Sequence, residues 1–177
     1  MKAPGELRVK PRRTHHPERV ILFYVSGQVF AIAAEAVQEI RSTDSLAGAA
    51  MEIENPELAK VRHTLERGRQ AYYVVNACLH FYLPVERPTL LLILRDLPVA
   101  VLVDRIDRMA EILAIYPLPQ AFAGEERGWY RGLTYLDDTV IPVIDPAGFL
   151  SAEEYRSLDR SQKAGSGSSE LARVVQS

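Results

Sequence analysis

Residues 20–32 are VILFYVSGQVFAI. Two apolar, β-branched and aromatic runs, VILFYV (20–25) and QVFAI (28–32), flank the pair Ser26-Gly27. That is the pattern of a two-residue β-hairpin, in which Gly27 supplies the permissive backbone the turn demands. Neither run alternates cleanly between apolar and polar, so both faces of these strands need cover. TLLLILR (89–95) and VAVLVD (99–104) repeat the arrangement around Asp96-Leu97-Pro98. WYRGLTYL (129–136) and VIPVID (140–145) repeat it again around Asp137-Asp138-Thr139, and AYYVVN (71–76) reads as a further strand. Small closed barrels with a neighbour packed outside bury strands on both sides.

The first two hairpins also head a longer repeat. Residues 20–40 read as a hairpin, a short helical turn (33–38) and then Glu39-Ile40. Residues 89–112 read as a hairpin, a similar turn (104–108) and then Glu111-Ile112. Each half carries an Arg-Gly pair, Arg67-Gly68 or Arg131-Gly132, ahead of an apolar strand that ends in Asn76 or Asp145. Two copies of one β-unit, lying side by side in one domain, follow from this.

Composition narrows the function. The 177 residues are 47% apolar and 25% charged, with a net charge of −2, as expected of an ordinary soluble domain. Residues 1–19 carry Lys2, Arg8, Lys10, Arg12, Arg13 and Arg19 against Glu6 and Glu18, a balance of +4, so about −6 falls on the remainder. An acidic folded part repels phosphate, so nucleic acid is not an expected partner. The competing reading, a small barrel that stacks bases on Trp129 and Tyr130, meets the same objection. Cys78 is the single cysteine and leaves no internal disulfide. No leader-like run and no apolar stretch of ~18 residues occurs, so membrane insertion is not expected and a reducing, cytoplasmic setting is. Residues 1–17 lack apolar periodicity and read as a flexible basic arm. Residues 159–177, which include KAGSGSSE, read as a flexible tail, and 18–158 as the folded domain.

Catalytic constellations are thin. His15-His16 have no third ligand at a fixed place, and Cys78 and His80 have no evident acid partner. Glu125-Glu126 and Asp137-Asp138 are contiguous acids, whereas catalytic carboxylates face each other across a cleft. Gly124, Gly128 and Gly132 are spaced by four but do not open a helix, as a phosphate loop does. An enzyme is therefore not expected, and neither a metal nor another cofactor.

The order and spacing of several motifs resemble the CheW-like adaptors of bacterial chemosensory arrays. The resemblance rests on FYVSGQVFAI (23–32), VQEIR (37–41), Arg67-Gly68, VAVLVDRI (99–106), GLTYLDDTVIPVID (132–145) and LSAEE (150–154). Where the family has an Asn-Leu-Arg-Gly turn, this chain has Leu65-Glu66-Arg67-Gly68, and Asn76-Ala77-Cys78 replaces Asp-Leu-Arg. The resemblance implies a mainly β protein of two SH3-like five-stranded barrels on a shared hydrophobic seam, with a few short helices. It implies a non-enzymatic scaffold that couples chemoreceptor cytoplasmic tips to the regulatory domain of a CheA-type histidine kinase. A divergent member serving another motility or localisation pathway is the alternative within the same class.

The resemblance also implies two surfaces. Val37, Glu39, Ile40, Arg67, Gly68, Val103 and Ile106 fall where the family meets the receptor. There a Glu39–Arg67 pair would fix geometry, and the aliphatic groups would receive an amphipathic helix by burial. Arg131, Gly132, Tyr135, Asp137 and Asp138 fall at the kinase-facing edge, where a standard interface buries ~800 Å² per side. The plain alternatives are a surface ion pair for Glu39–Arg67, core for the valines and isoleucines, and a solvated hairpin tip for the second set.

Overall fold

Turns set the hairpins. In a computed structural model, which describes the backbone over residues 12–174 and side chains over 16–164, Ser26 and Gly27 both lie in left-handed backbone (φ 50° and 76°). They join β1 (Arg12–Val25) to β2 (Gln28–Ala33) as a type I′ turn, whose twist matches that of the strands. A 3-10 turn at Ala34–Ala36 leads to β3 (Val37–Ser42), the short β4 (Ala50–Glu52), and the hairpin β5 (Val61–Arg67) and β6 (Gln70–Asn76). The Asn76 side chain accepts the N–H groups of Cys78 and Leu79 and so caps a single helical turn, α1 (Ala77–His80). Next come β7 (Leu90–Leu94), β8 (Val99–Val103), β9 (Arg105–Ile115) and the hairpin β10 (Tyr130–Leu136) and β11 (Thr139–Ile144). Asp137 and Asp138 form its left-handed tip (φ 48° and 59°). The last helix, α2 (Ala152–Val174), opens on a capping box: Glu154 N–H donates to Ser151 Oγ (3.2 Å), and Ser151 N–H donates to the Glu154 carboxylate (2.7 Å).

One sheet runs β10-β11-β2-β1-β9 and the other β3-β7-β8-β6-β5-β4. With the three-residue β4 set aside, the two orders are one list with the halves of the chain exchanged. Strands β1, β2, β9, β10 and β11 occupy the places of β7, β8, β3, β5 and β6. The parallel neighbours fall at the same place, β11 beside β2 and β6 beside β8. So does a bulge. Phe23 and Leu22 pair with Ile106 and Arg108, skipping Asp107, while Leu94 and Ile93 pair with Val37 and Glu39, skipping Gln38. Each sheet thus takes the leading hairpin of one repeat and the last three strands of the other.

This exchange corrects two details of the expected repeat. Residues 104–108 form no helical turn, because β9 starts at Arg105 once Asp104 N–H has bonded to Tyr24 O (3.0 Å). The Arg-Gly pairs are not equivalent either. Gly68 lies in the β5–β6 turn, whereas Gly132 lies inside β10. There Leu133 and Tyr116 exchange backbone hydrogen bonds (2.7 and 2.9 Å) and join the end of β9 to β10. A Cβ on Gly132 would stand 2.3 Å from Tyr116 O, so only glycine lets these strands meet.

Strand alternation explains why the hairpins are apolar on both faces. Val20, Leu22 and Ala31 fill one barrel with Ile112, Ile141 and Val143. Leu91, Ile93 and Ala100 fill the other with Leu65, Tyr72 and Val74. The intervening residues Phe23, Phe30, Ile32, Leu92, Leu94 and Val101 meet in the seam between the barrels. Each such side chain contributes roughly 1.5–3 kcal/mol by burial.

The chain ends differ from expectation. Residues 12–17, read as part of a flexible arm, belong to β1, where Arg12 and Arg13 pair with Ile115 and Ala114. A backbone ladder needs no apolar side chains, so composition did not reveal it. Residues 159–174, read as tail, continue α2 beyond the expected domain limit at 158. Leu158 is fully buried against the seam. Beyond it, Tyr73 Oη donates to Asp159 (2.5 Å), and Asn55 Nδ2 donates to Ser157 Oγ and Ser161 Oγ (3.0 and 3.1 Å). The rest of the expected arm and tail, residues 1–11 and 175–177, lies outside the described residues.

Candidate functional site

Glu39 and Arg41 are two apart on β3 and therefore share a face. Arg67 ends β5 just before the Gly68 turn (φ 62°). The Glu39 carboxylate lies between the two guanidiniums: Arg41 Nε donates to Oε1 at 2.7 Å, and Arg67 Nη1 pairs with Oε2. The Arg41 hydrogen bond, followed by the charges of Arg41 and Arg67, holds the Glu39 carboxyl below the usual range. The group is ionised and about a third exposed, with Gly68 open to solvent beside it.

The bulge equivalence gives this pair a counterpart. Glu39 on β3 occupies the place that Arg108 occupies on β9, and Arg108 pairs with Asp137 at the tip of the β10–β11 hairpin. Both barrels tie their bulged strand to the neighbouring hairpin by an ion pair, with the charges reversed.

The aliphatic candidates separate by depth. Ile40 is 42% exposed and pairs in register with Leu92, a seam residue, so it lies at the seam margin. Ile106 is half-buried against the same seam opposite Phe23. Val37 and Val103, which the resemblance sets at the receptor surface and the plain alternative sets in the core, are core residues at 7% and 0% exposure. Val37 faces Leu94 and Val103 faces Leu90, and both side chains pack in the seam.

The second set divides in the same way. Arg131 donates to Glu18 of β1 through both terminal guanidinium nitrogens, Nη1 to Oε1 and Nη2 to Oε2 (3.0 Å). Gly132 is buried at the barrel closure and offers no contact surface. Tyr135 (58% exposed) and Val140 (47%) face each other across β10–β11, and Tyr116 packs edge-on to Tyr135 (5.2 Å). They form an exposed apolar strip beside Asp137 and Asp138.

One buried cluster escaped the sequence reading. His80 on α1 is 2% exposed, enclosed by Phe81, Trp129 and Phe149 (4.8, 4.6 and 5.1 Å between rings). Its Nδ1 lies 3.2 Å from Lys60 Nζ, which also pairs with Glu154 (2.6 Å). Lysine only donates, so Nδ1 accepts and the imidazole proton sits on Nε2. Burial, then the Lys60 charge, pushes its pKa down to about 3. In the sequence His80 stands beside Cys78, which is buried and has no acid partner among the described residues. Lys60 is 20 residues away and carried no signal. Among the described residues no three His, Cys, Asp or Glu side chains form a metal-binding group, and no helix is long and apolar enough to cross a membrane.

A family model described as the CheW-like domain matches residues 19–154. No curated protein matches the chain. Among solved structures, the fold is similar to the scaffolding protein TtCheW from Thermoanaerobacter tengcongensis, with a TM-score of 0.63 and 15% sequence identity, over 77% of this chain and 95% of that one.

Proposed function

Because the chain belongs to the CheW-like domain family, we propose that it is a non-enzymatic adaptor, cytoplasmic and held at chemoreceptor arrays, that joins receptor tips to a CheA-type histidine kinase. The observation that carries this reading is the partly exposed Glu39–Arg67 pair beside the open Gly68 turn, on the strand whose Ile40 borders the seam. A receptor helix tip would bury its apolar face against Ile40 and Ile106 and orient against the charged pair. Val37 and Val103 would shape that surface from beneath. The Tyr135–Val140 strip, edged by Asp137 and Asp138, is the surface assigned to the kinase regulatory domain, with Arg131 holding β10 in place through Glu18. Both contacts are non-covalent, so signalling is a shift in an equilibrium that the receptor and kinase both bias. The test is co-precipitation of the chain with a receptor cytoplasmic fragment and with a kinase regulatory domain. Capture of both is expected. Capture of neither would overturn the array role in favour of a pathway with other partners.

A further inference from the structure

The exchange of strands makes residues of β3 and β9 equivalent one by one. Where Leu92 pairs with Ile40 in one barrel, Ile21 pairs with Met109 in the other. Ile40 and Met109 are both exposed, at 42% and 54%, and both stand opposite a seam residue. Each is preceded by the ion-paired residue of its bulged strand, Glu39 or Arg108. The molecule therefore presents two corners of one layout, an exposed apolar side chain next to an ion pair. A partner that read only this layout would dock at either corner.

The next position separates them. Leu91 pairs with Arg41, whereas its counterpart Val20 pairs with Ala110. Arg41 Nε donates to one oxygen of Glu39 (2.7 Å) while Arg67 holds the other, and both arginine side chains are more than a third exposed. Two guanidiniums against one carboxylate leave +1 at this corner, and the exposed Glu66 and Arg69 nearby cancel each other. At the other corner Arg105 and Arg108 stand against Asp107, Asp137 and Asp138, which leaves −1. Strand β3 ends its sheet, so a segment lying along its edge reaches Ile40 on one face and Arg41 on the other.

We infer that Arg41 is a specificity-determining residue, which makes the Ile40 corner rather than the Met109 corner the one that accepts an acidic helix tip. The inference rests on the array role proposed above and names the chemistry of the partner: an amphipathic helix with a carboxylate beside its apolar side chains. Glu39 holds both guanidiniums in place, and an arginine so held grips an incoming carboxylate through two parallel hydrogen bonds. Charges at the rim of an interface decide partner and rate of encounter more than fold stability.

The test is the affinity of the full chain for a receptor cytoplasmic fragment, measured at low salt and at about 0.5 M NaCl, which screens exposed charges. Ile40→Ser should weaken binding about tenfold or more, and Met109→Ser by less than about two-fold. Arg41→Gln should weaken it about tenfold at low salt and flatten its salt dependence. Arg41→Lys keeps the charge and should retain most of the affinity and of the salt dependence. Melting temperatures of the Arg41 variants should stay within about 3 °C of the unaltered chain. Binding that Arg41→Gln leaves unchanged overturns the inference. So does an equal loss from Met109→Ser and Ile40→Ser, because both corners would then bind. Arg41→Lys as damaging as Arg41→Gln overturns it too, since the side chain would then act by packing. If the unaltered chain does not bind the fragment, the array role itself fails and the inference falls with it.

Discussion

Gly68 and Gly132 are both glycines with positive φ, yet they do different work. A side chain at Gly68 meets nothing within 4 Å, so Gly68→Ala incurs only left-handed backbone strain, about 1 kcal/mol. A Cβ at Gly132 meets Tyr116 O at 2.3 Å and Ile115 Cγ2 at 2.6 Å, so Gly132→Ala should lose roughly 3 kcal/mol or more. Urea midpoints of the two variants check this ordering. Glu39 and Arg67 are expected to behave unlike either glycine. They stand on separate strands at a partly exposed site, so Glu39→Ala and Arg67→Ala should move the melting temperature by no more than about 3 °C. The same changes should weaken receptor-fragment binding about tenfold, and a large loss of stability instead would make the pair structural. His80 is a titration problem. Its folded pKa is about 3, against about 6.5 in an unfolded chain. Between those values the unfolded state binds the extra proton, so stability falls as pH is lowered through the window. The His80 share of that loss between pH 6.5 and pH 4 is about 3 kcal/mol. His80→Gln keeps an acceptor for Lys60 and does not titrate there, so its unfolding free energy should fall less steeply with pH.

Element by element, the hairpins were legible because turn chemistry and apolar runs are local. Ser26-Gly27 and the apolar residues beside it are sufficient to specify β2 and the part of β1 from Val20 to Val25. Strands β3 and β9 were harder to see, since both mix charged residues into an edge position and owe their place to partners far away in sequence. Helix α2 was the largest omission. Its polar composition resembles a tail, and what orders it is Leu158 in the seam together with bonds to Asn55 and Tyr73, each about a hundred residues distant. Leu158→Ala should therefore cost about 2–5 kcal/mol in denaturant unfolding, where a residue at the edge of a free tail would cost almost nothing. The candidate site was readable only in part. Glu39 and Arg67 came from the family resemblance and do meet. Val37 and Val103 could not be told from Ile40, because a β-branched residue on a strand looks the same whether it faces the seam or its margin.

At the scale of the molecule, the exchange of strands decides how the chain can fold. A barrel built from β1, β2, β9, β10 and β11 draws on both halves of the sequence, and so does the other. Neither repeat contains a complete sheet, and the seam joining the sheets also takes residues from both halves. Two independent barrels on a linker would behave differently, each closing on itself with local contacts. The exposed loop at Glu86 and Arg87, between α1 and β7, separates the repeats and is a natural place to cut. Fragments 1–86 and 87–177 should each show little cooperative unfolding alone, because each leaves unpaired strand edges and half a core in water. Mixed at equal concentration, they should recover the far-ultraviolet circular dichroism of the intact chain. Their melting midpoint should rise with concentration, as it must when folding is also association. A cooperative transition in either fragment by itself would mean that a barrel closes without its exchanged strands, contrary to the pairing of β1 with β9 and of β7 with β3.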